Sequence, residues 1–216
     1  MTDNGKIKKG WHLVSNVAPH KDKVITVKSL RSKKDVEKIR EYLKNSPRDL
    51  ALFVLGINSG LRGNDLLKLK YKDILTPDGH IVNSVSIREG KTQKLRQFVI
   101  GKNSYKVLYD LLPKNGDGVK LENINLEDFI FASRKRGKLS IQRLHQLINH
   151  WAKKAGIKGH FGSHTLRKTF AYFLLKKGAD IHLLMKTLNH SSPSVTLRYA
   201  GVEQEDIDNA MLRLNL

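Results

Sequence analysis

Ser163-His164-Thr165-Leu166-Arg167-Lys168-Thr169-Phe170-Ala171-Tyr172-Phe173-Leu174, followed by Leu188-Asn189-His190-Ser191-Ser192-Pro193 and then Arg198-Tyr199-Ala200-Gly201, decides how this chain is read. Leu166, Phe170, Phe173 and Leu174 recur at helical spacing, and Ser163 is placed to cap the helix they define. His164 and Arg167 stand three apart, so they share a face of that helix, in the first turn where the dipole favours an anion. A second histidine follows at 190, and a tyrosine at 199. Arginine suits a phosphate because its fork donates two parallel hydrogen bonds and keeps its charge. A phenol with an ordinary pKa of about 10 reaches the phenolate near neutral pH at a cost of roughly 4 kcal/mol. An imidazole that accepts the proton offsets that cost, and His164 and His190 are the two candidates.

Working outward, the C-terminal side reads as three more helices. Ile181, Leu184, Met185 and Leu188 form one, with Asn189 suited to its last turn. Ser192-Pro193 opens a second that carries Tyr199, and Glu203 to Leu214 closes the chain through Ile207, Ala210, Met211 and Leu214. On the N-terminal side Val36, Ile39 and Leu43 mark a helix. Ser46-Pro47-Arg48-Asp49 opens another, whose stripe of Leu50, Phe53, Val54 and Ile57 stops at Gly60. Asn64 is placed to cap a short helix through Leu66, Leu67 and Leu69. Ile81 to Ile87 and Leu95 to Ile100 flank Arg88-Glu89-Gly90-Lys91-Thr92-Gln93-Lys94, which predicts a β-hairpin with a lysine near its tip. Ser104 to Leu112 reads as a helix ending at Pro113. Ser140 caps a long one with Ile141, Leu144, Ile148, Trp151 and Ala155 on one face. The expected fold class is mainly α with a small antiparallel β-sheet. Residues 1–30 read as a basic extension or linker, and residues 31–216 as one domain ending in the helix 203–214.

The 216 residues include 40 Lys and Arg against 20 Asp and Glu, a formal net charge of +20. Such a field opposes compaction unless a polyanion relieves it. No apolar run approaches the ~18 residues of a membrane span. No basic amphipathic helix stands apart from the fold, so nucleic acid is the expected partner and a membrane is not. The absence of cysteine excludes disulfides, thiolate zinc sites and cysteine nucleophiles. The N-terminal residues lack a sustained apolar core, so they are not a secretory signal, and the expected location is the cytoplasm, on the nucleoid. Arg134-Lys135-Arg136-Gly137-Lys138, just before the Ser140 helix, is expected to contact phosphates. Arg143, Gln142 and Asn149 lie on the polar side of that helix, with chemistry suited equally to base edges or to a solvated face. His160 and His164 do not read as a metal pair, because Gly162 intervenes and no third ligand is evident. No metal or other cofactor is expected.

Taken in order, Ser59-Gly60-Leu61-Arg62, Gly90-Lys91 between two strands, His164-x-x-Arg167, Leu188-Asn189-His190 and Tyr199 resemble the signature of the tyrosine recombinases, the phage-integrase family. That signature is a T/S-G-L-R motif, a hairpin lysine, an H-x-x-R pair, a later His or Trp, and a tyrosine near the C-terminus. Asp65, three after Arg62, matches the family's acidic position. The resemblance spans residues 30 to 216 and implies the family's catalytic-domain fold.

It further implies a DNA strand transferase, a site-specific recombinase of the integrase or invertase type that needs neither metal nor ATP. Arg62 and Arg167 would clamp the scissile phosphate. Lys91, or its neighbour Lys94, would protonate the 5′ leaving oxygen. His164 would take the tyrosine proton, His190 would hydrogen-bond the phosphate, and Tyr199 would form a 3′-phosphotyrosine link. The partner would be double-stranded DNA, held by a homotetramer that is a monomer or weak oligomer without it. Exchange of the C-terminal helix would join the protomers, unless that helix packs on its own core. Family members carry an N-terminal helical domain that closes around DNA; this chain reads as a short member or as a piece of a longer protein. Two alternatives use the same fold: a nicking-closing enzyme of the type IB topoisomerase kind, and a DNA-binding module that does not cleave.

Overall fold

The computed structural model describes residues 27–115, 118–134 and 137–214. The chain enters along the body of the protein: Lys28 N–H donates to His160 O at 2.9 Å and Leu30 N–H donates to Thr169 Oγ1 at 2.9 Å. Leu30 is buried in the core. Helix α1 (Lys33–Leu43) starts at Ser32, whose hydroxyl accepts from Lys34 N, a cap contributing about 1 kcal/mol. Helix α2 (Pro47–Ser59) has Pro47 in its first turn, as its sequence predicts, although Ser46 makes no side-chain cap. Residues Ala51 through Gly56 are all buried, so α2 is the central helix rather than one with a single apolar stripe.

Two short helices follow, α3 (Gly63–Leu66) and α4 (Tyr71–Ile74), then the hairpin of β1 (Ser84–Arg88) and β2 (Leu95–Val99). The strands pair antiparallel from Ser84↔Val99 to Arg88↔Leu95. Helix α5 (Lys102–Leu111) leads to a second, minimal pair, β3 (Lys114–Asn115) with β4 (Gly118–Val119). Then come α6 (Ile141–Lys154), α7 (Thr165–Lys176), α8 (Ile181–Leu188), α9 (Pro193–Ala200) and α10 (Gln204–Leu214). Ser140, Asp180 and Ser192 cap α6, α8 and α9 with their side chains. The fold is mainly α with a small antiparallel sheet, as the sequence indicated.

Several boundaries differ from the sequence reading. Helix α3 is capped at Arg62, not Asn64, and α5 begins at Lys102 rather than Ser104. Helix α7 is capped at His164, one residue after the expected Ser163, and without a side-chain cap bond. The Thr165 hydroxyl turns inward there, accepting from Gly162 N at 3.0 Å and donating to Lys28 O at 2.8 Å. Ile81 lies outside β1 and pairs with Leu75 in an isolated bridge.

The core has two parts. The larger runs from Leu30 and α1 through α2, the hairpin and α6 to Leu166, and includes Trp151 edge-on to Phe53 with ring centroids 6.3 Å apart. The smaller gathers Ala171, Leu184, Leu188 and Ala200, with Phe170 and Tyr199 against it. Helix α7 belongs to both, Leu166 in one and Ala171 in the other. It meets α2 closely: a Cβ on Gly56 would come within 2.5 Å of Leu166 Cδ1. Gly60 then turns the chain at φ 61°, where a side chain would also strike the Phe170 ring. Arg62 and Arg167 therefore both stand where the two clusters join.

Helix α10 is tied at its start, through Arg31 to Glu203 at 2.8 Å and to Asp206 at 2.5 Å. Ile207 and Met211, half of the stripe expected to be buried, are 47% and 68% exposed, and Leu212 beside them is 77% exposed. Ile207 and Met211 are therefore not packed on the chain's own core. No helix among the described residues is long and apolar enough to cross a membrane.

Candidate active site

The two arginines are drawn together by backbone carbonyls and one carboxylate. Arg167, in the first turn of α7 and 2% exposed, donates from Nη1 to Gly60 O at 2.8 Å and from Nη2 to Leu188 O at 2.6 Å. It thereby pins the end of α2 to the end of α8. These two bonds take two of its five N–H groups. Arg62, just past the Gly60 turn, sets Nη1 against Glu89 Oε2 at 2.6 Å as an ion pair rather than an aligned hydrogen bond. Glu89 Oε1 lies 3.8 Å from Arg167 Nη1. A third arginine, Arg96 of β2, is buried and donates from Nη2 to Ser59 O at 2.8 Å. Burial and the charge of Arg167 push it down to about 10, so it stays cationic at neutral pH.

Beside this group Tyr199 Oη lies 3.2 Å from His164 Nδ1, within reach for transfer of a proton. His190 stands edge-on to the Tyr199 ring at 5.0 Å, and its Nδ1 is 3.1 Å from Thr196 Oγ1. Lys168 Nζ sits over the same ring at 5.6 Å. Burial raises the Tyr199 phenol above its ordinary value, against the opposing pull of Arg167 and Arg62. The phenol is therefore protonated at neutral pH and needs a base. Desolvation, then the charges of Arg167, Lys168, Arg62 and Lys91, lower His164 below the usual histidine range. It is neutral and able to accept. Burial with Arg167 and Arg62 pushes His190 down to about 4.

Lys91 is exposed in the β1–β2 turn. Its charge adds, after burial and the charges of Arg167, Lys168 and Arg62, to those that depress His164. The turn is held from below by Asp65, whose Oδ1 accepts from Gly90 N at 2.9 Å. Arg62, His164, Arg167, His190 and Tyr199 thus gather in one region, while Lys91 stands in the exposed turn that Asp65 supports.

Depressed histidines make stability depend on pH with a definite sign. Between about 4, the folded value for His190, and the ordinary 6.5 the unfolded chain binds more protons than the folded one. Their contribution is complete above that window and is lost as pH falls through it. Denaturant midpoints should therefore drop on acidification from pH 6.5, and His190→Gln should flatten that limb. An unchanged profile in the variant would contradict the assignment.

The expected DNA contacts stand apart from this cluster. Arg134, Lys138 and Arg143 are exposed around the start of α6, and Arg143 Nη1 donates to Gln146 Oε1 at 3.3 Å. Lys135 and Arg136 lie outside the described residues. Asn149 is half-buried and accepts from Phe161 N at 3.2 Å, so it braces the loop before α7 and does not offer its amide to a base.

Glu89 and Arg96 were not singled out by sequence, and Asn189 was read there as a helix end and not as a partner of the site. The available signal for Glu89 is that it is the lone acid between Asp78 and Asp110, in a turn crowded with cations.

Residues 30–206 match the phage integrase family model. "Probable integrase/recombinase YoeC" of Bacillus subtilis (strain 168) is 33% identical over 181 residues, covering 83% of this chain and 92% of that protein. Other curated tyrosine recombinases that match are longer: the chain spans 50–61% of their length. Among solved structures, XerA recombinase superposes with a TM-score of 0.70 at 22% identity, over 88% of this chain and 66% of that one. XerH site-specific recombinase, bound to palindromic difH substrate in a post-cleavage complex, superposes with a TM-score of 0.63 at 23% identity, over 85% of this chain and 51% of that one.

Proposed function

Because this chain belongs to the phage integrase family, we propose that it is the catalytic domain of a site-specific DNA recombinase, one that cuts and rejoins double-stranded DNA through a 3′-phosphotyrosine link. Residues 31–216 form most of that domain, and Lys28 and Leu30 are already packed into it. The observation that carries the reading is the meeting of a protonated Tyr199 with a neutral His164 at 3.2 Å, beside two arginines that share one carboxylate.

A phosphodiester seated against Arg62 and Arg167 meets their remaining N–H groups, which stabilise the charge that grows on the non-bridging oxygens. Tyr199 Oη attacks phosphorus as His164 takes its proton. The P–O5′ bond breaks, and Lys91 supplies a proton to the departing oxygen. His190 adds a hydrogen bond to the phosphate. The bond energy is kept in the phosphotyrosine, so attack by a 5′-hydroxyl of a second strand reseals the backbone without ATP. Nothing in this sequence of steps requires a metal.

The exposed face of α10 supports exchange of that helix between protomers, and with it a tetramer on DNA; a self-packed helix would have covered Ile207 and Met211. Exposed Arg134, Lys138 and Arg143 supply backbone contacts that position the duplex without specifying its sequence.

The test is a nicked suicide duplex drawn from DNA flanking the gene, incubated in EDTA and run on a denaturing gel. A covalent protein–DNA band is expected. Recombinant joints on two-site substrates would identify strand exchange, whereas relaxed circles alone would favour nicking-closing. No band on any flanking site would leave a DNA-binding module and overturn the proposal.

A further inference from the structure

We propose that Glu89 is the positioning residue that fixes the Lys91 turn against the arginine pair, and so governs delivery of a proton to the leaving 5′ oxygen. This rests on the strand-cutting reading above. Glu89 sits in a polar turn yet is 0% exposed, whereas its neighbours Gly90, Lys91, Gln93 and Lys94 are all exposed. Lys91 therefore has no packing of its own and takes its position from the residues that root the turn.

Glu89 roots it from both sides. Its N–H donates to Lys94 O at 3.0 Å and its carbonyl accepts from Gln93 N at 2.9 Å, which closes the turn. Its carboxylate then reaches inward. Oε2 accepts from Thr92 Oγ1 at 2.7 Å, within the turn, and from Asn189 Nδ2 at 2.8 Å, next to His190. The same oxygen pairs with Arg62 at 2.6 Å, and Oε1 faces Arg167 at 3.8 Å. One side chain thus joins the turn of Lys91 to both arginines and to the loop of His190.

The chemistry at 89 requires a carboxylate. Every polar neighbour is a donor: a hydroxyl, an amide N–H₂ and two guanidinium groups. Glutamine fits the same volume and keeps one acceptor for Thr92 and Asn189, but its own N–H₂ then faces Arg167. Burial alone would raise the Glu89 carboxyl, but hydrogen bonds from Thr92 and Asn189 and the adjacent charge of Arg62 together hold it below the usual range. It is therefore ionised, and it balances part of the buried positive charge.

The test separates this role from simple support of the fold. In cutting, Tyr199 Oη bonds to phosphorus, its proton passes to His164, and the P–O5′ electron pair goes to O5′, which Lys91 protonates. With sulfur in place of that oxygen, the leaving group is a thiolate of pKa about 8.5 rather than an alkoxide nearer water's 15.7 or so, and it departs without a proton. Single-turnover adduct formation is measured on oxygen- and sulfur-bridged duplexes with the full chain.

Glu89→Gln should lose roughly 10²-fold on the oxygen substrate, the scale of general-acid catalysis, and return to within about tenfold of wild type on sulfur. Lys91→Ala should do the same, while Arg62→Ala stays slow on both. Thr92→Val leaves the buried charges in place and guards against misfolding of the glutamine variant. It should show a smaller loss, about tenfold, with the same recovery. Equal slowing of Glu89→Gln on both substrates, or wild-type rates on both, would overturn the inference while leaving the function standing. A wild-type chain that cuts neither duplex overturns the function and this inference with it.

Discussion

Tyr199→Phe is expected to abolish covalent attachment to DNA while leaving the fold and DNA affinity nearly unchanged. The hydroxyl meets His164 Nδ1 at 3.2 Å and also faces the Arg167 guanidinium. The ring itself packs against the small core cluster, stands edge-on to His190 at 5.0 Å and lies under Lys168 at 5.6 Å; phenylalanine keeps all three contacts. Loss of one hydrogen bond changes stability by about 0.5–1.5 kcal/mol. The chemistry, by contrast, loses its nucleophile outright. No neighbouring group substitutes for it: His164, His190 and the arginines are a base and donors in this arrangement, and the chain has no cysteine. Gel shifts should therefore match wild type under conditions in which the denaturing gel shows no adduct. An adduct that persists in Tyr199→Phe would remove the tyrosine from the reaction.

Arg167→Ala should affect both chemistry and stability. The guanidinium reaches Gly60 O and Leu188 O together, and it does so at 2% exposure. Its removal leaves two buried carbonyls without donors and takes one cation from Glu89, a loss of roughly 2–4 kcal/mol after partial relaxation. The transition state loses its most enclosed donor as well, and arginines that stabilise phosphoryl transfer are worth about 10³-fold or more. Arg167→Lys separates the two effects: it restores the charge, but one ammonium cannot serve both carbonyls and the phosphate. Urea unfolding and single-turnover cutting should show both losses for alanine and a smaller stability loss for lysine. Wild-type stability in Arg167→Ala would contradict the structural half of the account.

The six candidate positions were legible because each carries a motif whose residue types the proposed chemistry demands, and because α2, α7 and α8 could be traced from their apolar spacing and α9 from its Ser192-Pro193 start. Gly60 and Asn189 read correctly as helix ends; both adopt the left-handed conformation there. What supports the site was harder to read. In β2 the apolar residues Leu95 and Val99 face solvent at 70% exposure each, while Arg96 points inward. Alternation in a strand marks two faces without saying which is buried, and here the inner face carries a cation because the hairpin covers an electrostatic site. Glu89 failed to stand out for the same reason. A carboxylate in a turn of lysines reads as solvated, and only the distant Arg62, Arg167 and Asn189 explain its burial. The cap of α7 was misplaced by one residue because Thr165 contacts Lys28, a partner far away in sequence. The charge of +20 indicated a polyanion without locating where it binds.

The claim at the centre is that a single phenol, set between His164 and the arginines, takes the DNA strand. It is tested most directly by digesting the trapped protein–DNA complex with trypsin and nuclease and weighing the modified peptide. The chain has six tyrosines, and cleavage after Arg198 and Arg213 isolates Tyr199 from the other five. A residual nucleotide mass on the peptide that begins at Tyr199 is the predicted result. The same mass on a peptide carrying Tyr42, Tyr71, Tyr105, Tyr109 or Tyr172, or on no tyrosine, would contradict it.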